Sequence, residues 1–115
     1  MSSIEWINPA SDLLKLNPEE LIFGLSEKLK GRCDQAFIFG SFATGEFHSE
    51  SDIDIVIVKV TSLPFTQRPL EFTDLFDVFP RLDILVYTAA EFQRMRAEKD
   101  GFFSSVTNFR QIVGN

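Results

Sequence analysis

The sequence predicts an α/β (α+β) domain: a small mixed β-sheet with helices packed mainly on one face. Three observations lead there. Apolar runs of strand length, rich in β-branched and aromatic residues, recur at Gln35–Phe39, Ile53–Val60 and Leu82–Tyr87. Helix-start signals stand apart from those runs, at Asn17-Pro18-Glu19-Glu20 and at Thr88-Ala89-Ala90-Glu91. With 115 residues and 44% hydrophobic content, the chain is sized for one compact domain with its own core, residues 1–115, and is too short for a second substrate-binding domain.

Each element has a local reason. Trp6, Ile7, Leu13, Leu14 and Leu16 are apolar but interrupted by Pro9, which reads as an irregular lead-in or short helix anchored by Trp6. Asn17 is an N-cap, Pro18 suits the first helical position, and Glu20 is placed to complete a capping box. Leu21, Ile22, Leu25 and Leu29 then form a helical stripe that Gly31 stops. After the first strand, Gly40 ends the run and Ser41 opens a short helical turn through Thr44, closed by Gly45. Pro64 and Pro69 mark a loop, and Phe72, Leu75, Phe76 and Phe79 at helical spacing place a helix over Leu70–Phe79. Thr88 and Glu91 open a helix with Phe92 and Met95 on one face. Phe102, Phe103, Val106, Phe109, Ile112 and Val113 read as a last helix or helical tail.

Charge and cysteine content exclude several classes of function. A formal net charge of −6 argues against a domain that tracks long DNA or RNA, which needs a basic face. Cys33 is the only cysteine and forms no internal disulfide. No segment has a signal-peptide layout and no apolar run approaches a membrane span, so the expected setting is cytoplasmic.

The chemistry concentrates in residues 39–54. Gly40 and Ser41 form a small polar turn whose backbone amides suit an anion, and Asp52 and Asp54 follow at the start of the second strand. Residues two apart on a strand share a face, so both carboxylates point the same way. Two like charges stripped of water at an apolar strand are costly without a cation. Hard oxygen ligands select Mg²⁺ or Mn²⁺, and Mg²⁺ on one or two carboxylates completes its shell with water and phosphates. Phosphoryl or nucleotidyl transfer is the chemistry implied. Asp83 interrupts an otherwise apolar strand and gains a partner if it neighbours Asp52 and Asp54 across the sheet. A solvated strand entrance for Asp52 and Asp54, an ordinary turn at Gly40-Ser41 and an edge position for Asp83 are the corresponding structural readings. His48 reads as a loop residue and Cys33 as a small residue near a strand start; Lys59 and Arg81 flank the strands as solvated charges or as cations within reach of phosphate, the solvated reading being the favoured one.

Gly40-Ser41, the spacer, Ser51-Asp52-Ile53-Asp54 and the later strand aspartate Asp83 together resemble the signature of the DNA polymerase β-like nucleotidyltransferase superfamily, and the short length is most similar to its minimal nucleotidyltransferase (MNT) domain. The resemblance covers Phe37–Tyr87 at motif level and implies a nucleotidyltransferase fold. It implies that Gly40 and Ser41, with Thr44 and Ser51, bind a nucleoside triphosphate, with ATP the expected one. It also implies that Asp52 and Asp54 ligate two metals, that Asp83 completes the catalytic metal site, and that Asp83 takes the acceptor's proton. Thr44 departs from the pattern, since many minimal members carry a basic residue there that helps hold the triphosphate.

Two functions follow from the resemblance. One is an enzyme moving a nucleoside monophosphate to a hydroxyl of a protein or small molecule, as the antitoxin paired with a small helical HEPN-like toxin. The other is a catalytically weak module of the same fold that neutralises or assembles with a partner by contact. Thirteen phenylalanines in so small a chain, three of them at Phe102, Phe103 and Phe109, point to an apolar surface for such a partner or for a second copy.

Overall fold

A computed structural model describes residues 17–39, 52–98 and 109–114. Helix α1 spans Pro18–Leu29; Asn17 caps it by accepting a hydrogen bond from the Glu19 amide at 2.8 Å, and Glu20 stays exposed. Gly31 sits just past its end with φ +77°, the left-handed conformation that glycine adopts without penalty. Strands β1 (Gln35–Phe39), β2 (Ile53–Val58), β3 (Leu82–Tyr87) and β4 (Phe109–Val113) form one mixed sheet in the order β3-β2-β1-β4. β2 is antiparallel to β1 and parallel to β3, and β4 is antiparallel to β1.

Side-chain alternation divides the core in two. Ile53, Ile55 and Ile57 join Ala36, Ile38, Leu82, Ile84 and Val86 on the face covered by α1 and by a 3₁₀ segment at Phe65–Asp77. Val56 and Val58 meet Phe37 and Phe39 on the other face, where helix α2 (Ala89–Ala97) sets Phe92 against them. Phe37 and Phe92 stack with ring centroids 5.2 Å apart. Among the described residues, two helical elements therefore cover one face and one covers the other.

Four expectations meet corrections. β2 ends at Val58, and Val60 is 87% exposed, because the pairing with β3 stops at Tyr87. The phenylalanine-rich segment starts at Phe65 and takes Pro69 inside it; it is 3₁₀ with a break at Phe72, where φ is −122°. The three-residue period buries Phe72 and Leu75 and leaves Phe76 half-exposed. Phe109–Val113 is a strand, with Phe109 opposite Phe39 and a register shift at Ala36/Phe37. The lead-in around Trp6, the Ser41–Thr44 turn, His48, Phe102, Phe103 and Val106 lie outside the described residues.

The N-cap of α2 has its capping box in full: Thr88 Oγ1 accepts from the Glu91 amide at 3.3 Å and Glu91 Oε1 accepts from the Thr88 amide at 2.8 Å. The same Glu91 receives the buried Arg68 guanidinium at 2.7 Å, and Arg68 also donates to the carbonyls of Leu63 and Val86. Arg68 thereby ties the 3₁₀ segment to the outer edge of β3 and to the start of α2. Among the described residues no helix is long and apolar enough to cross a membrane.

Candidate active site

The site forms where β2 and β3 begin. In their parallel pairing Ile53 faces Leu82 and Asp54 faces Asp83, and the Ile53 amide donates to the Arg81 carbonyl at 3.0 Å. Ile53 and Leu82 point to the face under α1, so Asp54 and Asp83 point to the other. Neighbouring strands lie about 4.8 Å apart, which brings two carboxyls on the same face against each other. On its opposite flank Asp54 pairs with Phe39, whose side chain is buried. Asp54 is thus half-buried between an aromatic ring and a carboxylate, while Asp83 and Asp52 are exposed.

That placement sets the electrostatics. Burial pushes the Asp54 carboxyl above the ordinary carboxylate range, and the charge of Asp83, a hydrogen bond with it, and the charge of Asp52 push it further. All four influences disfavour the ionised form of Asp54, and a cation placed beside it would oppose them. Asp52 answers to a different partner: its Oδ1 lies 3.1 Å from Nη2 of Arg81. Asp52, Arg81, Leu82 and Asp83 line an open cleft of about 330 Å³.

The donor set fits a divalent cation of the hard type. Oxygen-only carboxylate ligands beside an open, polar cleft match the way Mg²⁺ is held, with few protein ligands and room for water and phosphate oxygens. Among the described residues no group of three His, Cys, Asp or Glu is gathered into a finished cation cluster. Asp54 and Asp83 are the pair in register, and Asp52, ion-paired with Arg81, lines the same cleft as Asp83.

Of the residues singled out in the sequence, Asp54 and Asp83 come together in register, and Asp52 lies at the same end of the sheet. Gly40, Ser41, Thr44 and Ser51 lie outside the described residues. Arg81 and Lys59, read as solvated charges, are both ion-paired. Lys59 reaches Glu71 at 3.4 Å, beyond the other end of β2, and Arg81 holds Asp52 at the site itself. Cys33 is partly buried against the core, and burial raises its thiol pKa.

Comparison with known proteins places this geometry in a family. The sequence profile of the nucleotidyltransferase domain family matches residues 19–111. Two Methanocaldococcus jannaschii proteins, provisionally named protein adenylyltransferases MJ0604 and MJ0141, are similar to the chain. The first is 45% identical over 40 residues, 35% of this chain and 40% of that protein. The second is 30% identical over 64 residues, 54% of this chain and 63% of that protein. The matches thus cover less than two thirds of either relative's length. Among solved structures, a provisionally named nucleotidyltransferase from Sulfolobus solfataricus is 20% identical with a TM-score of 0.49, over 95% of this chain and 90% of that one. A mutant toxin–antitoxin MntA–HpeT structure is 18% identical with a TM-score of 0.48, over 87% of this chain and 75% of that one. With the family profile spanning most of its length, from α1 to the last strand, the chain belongs to the nucleotidyltransferase domain family, a family of enzymes.

Proposed function

We propose that this chain transfers a nucleoside monophosphate, AMP, from a nucleoside triphosphate to a hydroxyl of a protein, using Mg²⁺ or Mn²⁺. The observation that carries the reading is the register of Asp54 with Asp83 on one face, with Asp52 beside them at the same strand ends. The names of the two archaeal relatives support adenylylation of a protein rather than of a small molecule.

Asp52, Asp54 and Asp83 would hold the cation. Bound there, it supplies Lewis acidity toward the acceptor hydroxyl and the phosphate oxygens. Asp54, half-buried and paired in register with Phe39, presents a carboxylate held in place at the strand start. Asp83, exposed toward the cleft, is placed to accept the proton of the attacking hydroxyl. The hydroxyl oxygen then bonds the α-phosphorus as the bond to pyrophosphate breaks. Gly40, Ser41, Thr44 and Ser51 are proposed to bind the triphosphate, on the motif that they form with Asp52 and Asp54. A HEPN-like helical protein, for which this chain would act as antitoxin, is the proposed acceptor class.

The test is calorimetric titration of ATP in Mg²⁺ or Mn²⁺ into the wild type and into the Asp52→Asn/Asp54→Asn double variant. Metal-dependent binding by the wild type alone supports the reading. Absence of binding by the wild type with each of the four nucleoside triphosphates overturns it in favour of a contact-only module of the same fold.

A further inference from the structure

We infer that Arg81 is a nucleotide-binding residue that exchanges partners, holding Asp52 in the free protein and turning to the polyphosphate of the nucleotide when Asp52 engages a cation. The inference rests on the nucleotidyltransferase reading above. Three observations carry it. Arg81 lines the same cleft as Asp52 and Asp83. Its pairing with Asp52, 3.1 Å at the nearest approach, joins side chains that are 47% and 70% exposed. An exposed pair of this kind is weak, so it yields readily to a stronger partner for either member. Finally, the other guanidinium groups with buried or bidentate partners are engaged elsewhere: Arg32 with Asp74, Arg68 with Glu91 and Arg110 with Glu19.

The charge balance gives the exchange its direction. Three carboxylates, Asp52, Asp54 and Asp83, stand at one end of the strands, and a bound triphosphate would add further negative charge there. Among the described residues Arg81 is the cation that lines the cleft. A guanidinium fork matches phosphate oxygens in a two-point contact. When Asp52 turns to the metal, Arg81 loses its counter-charge in the cleft and the incoming phosphates supply another. Metal and nucleotide binding are then coupled through one side chain, each removing one half of the Asp52–Arg81 pair.

The experiment titrates the full chain, as wild type, Arg81→Gln and Arg81→Lys, with ATP and with AMP in Mg²⁺, and separately with Mn²⁺ alone. Circular dichroism melts check that the half-exposed substitutions leave the fold intact. Arg81→Gln is expected to weaken ATP about tenfold or more and AMP less than about twofold, because only ATP carries the phosphates in question. Mn²⁺ alone should bind Arg81→Gln at least as tightly as wild type, since Asp52 has lost its competitor, and Arg81→Lys should recover part of the ATP affinity. Unchanged ATP affinity in Arg81→Gln overturns the inference. So does an equal loss for ATP and AMP, or a loss of Mn²⁺ binding, which would make Arg81 a support for Asp52. A wild type that binds no ATP overturns the nucleotidyltransferase reading and the inference with it; a wild type that binds ATP just as Arg81→Gln does overturns the inference alone.

Discussion

Asp54 and Asp83 face each other in the register of two parallel strands, on the side of the sheet that α2 packs against. A strand pair that needed only stability would place an apolar residue opposite an apolar one there, as Val56 and Leu85 do one period further on. The sheet instead opens with two like-charged groups in contact. In the free protein this is a source of instability, relieved by a proton or a cation.

Asp54→Asn should therefore stabilise the metal-free chain. A carboxyl whose folded-state pKa is raised favours folding below its unfolded value, near 3.8, and loses that contribution as pH climbs through the folded value. The gain from Asp54→Asn is thus absent well below pH 3.8 and grows as pH rises through the folded value, where the variant should show the higher melting midpoint. Adding Mg²⁺ should raise the midpoint of the wild type and leave the variant's unchanged. Thermal melts with EDTA and with Mg²⁺ decide it, and a variant that melts lower than wild type in EDTA would remove the strain argument.

Glu91 gives a pH dependence of the opposite sign. Its hydrogen bond from Arg68, aided by the Thr88 amide, holds its carboxyl down at about 2 against an ordinary 4.5. On acidification the unfolded chain takes up this proton before the folded one, so stability from this pair is complete above pH 4.5 and drains away toward pH 2. Urea titrations of wild type and Glu91→Gln between those limits should converge as pH falls. Arg68→Leu should cost about 2–3 kcal/mol at neutral pH, because the carbonyls of Leu63 and Val86 lose their donor together with Glu91.

Much of this architecture is legible locally. Asn17 and Thr88 announce their helices because a cap is a contact between residues two or three apart, and the β2 and β3 runs announce buried strands by composition alone. The paired spacing of Asp52 and Asp54 is likewise local. β4 was not legible: its five residues carry no clean alternation, and what makes them a strand is β1, about 70 residues away. The contact between Arg81 and Asp52 was not legible for a related reason. Asp52 is near Arg81 only once the register of β2 on β3 is known, and a short stretch does not encode which residue it will face.

Among the described residues, Phe92 is the one buried side chain of helix α2, stacked on Phe37 and clustered with Phe39, Val56 and Val58, with Leu85 and Tyr87 packed against them. Phe92→Ala should cost about 3 kcal/mol, the usual toll for removing a buried phenylalanine. Amide hydrogen exchange should locate the loss in Ala89–Ala97 ahead of the rest. Uniform loss of protection across the sheet would show instead that α2 is cooperative with the whole core.

Asp83→Asn separates binding from chemistry at the site. Asparagine keeps the shape and one carbonyl ligand but removes the negative charge and the ability to take a proton. In the proposed mechanism Asp54 and Asp52 still present carboxylates to a cation, so ATP affinity in Mg²⁺ should fall by no more than about tenfold. Turnover, measured as transfer of labelled AMP to a protein acceptor, should fall at least a hundredfold, the low end of what general base catalysis contributes. The loss should not be recovered by raising ATP concentration, since it belongs to the chemical step. Retained turnover with weakened binding would make Asp83 a ligand only, and the proton would then pass directly to solvent through the open cleft that Asp52, Arg81 and Asp83 line.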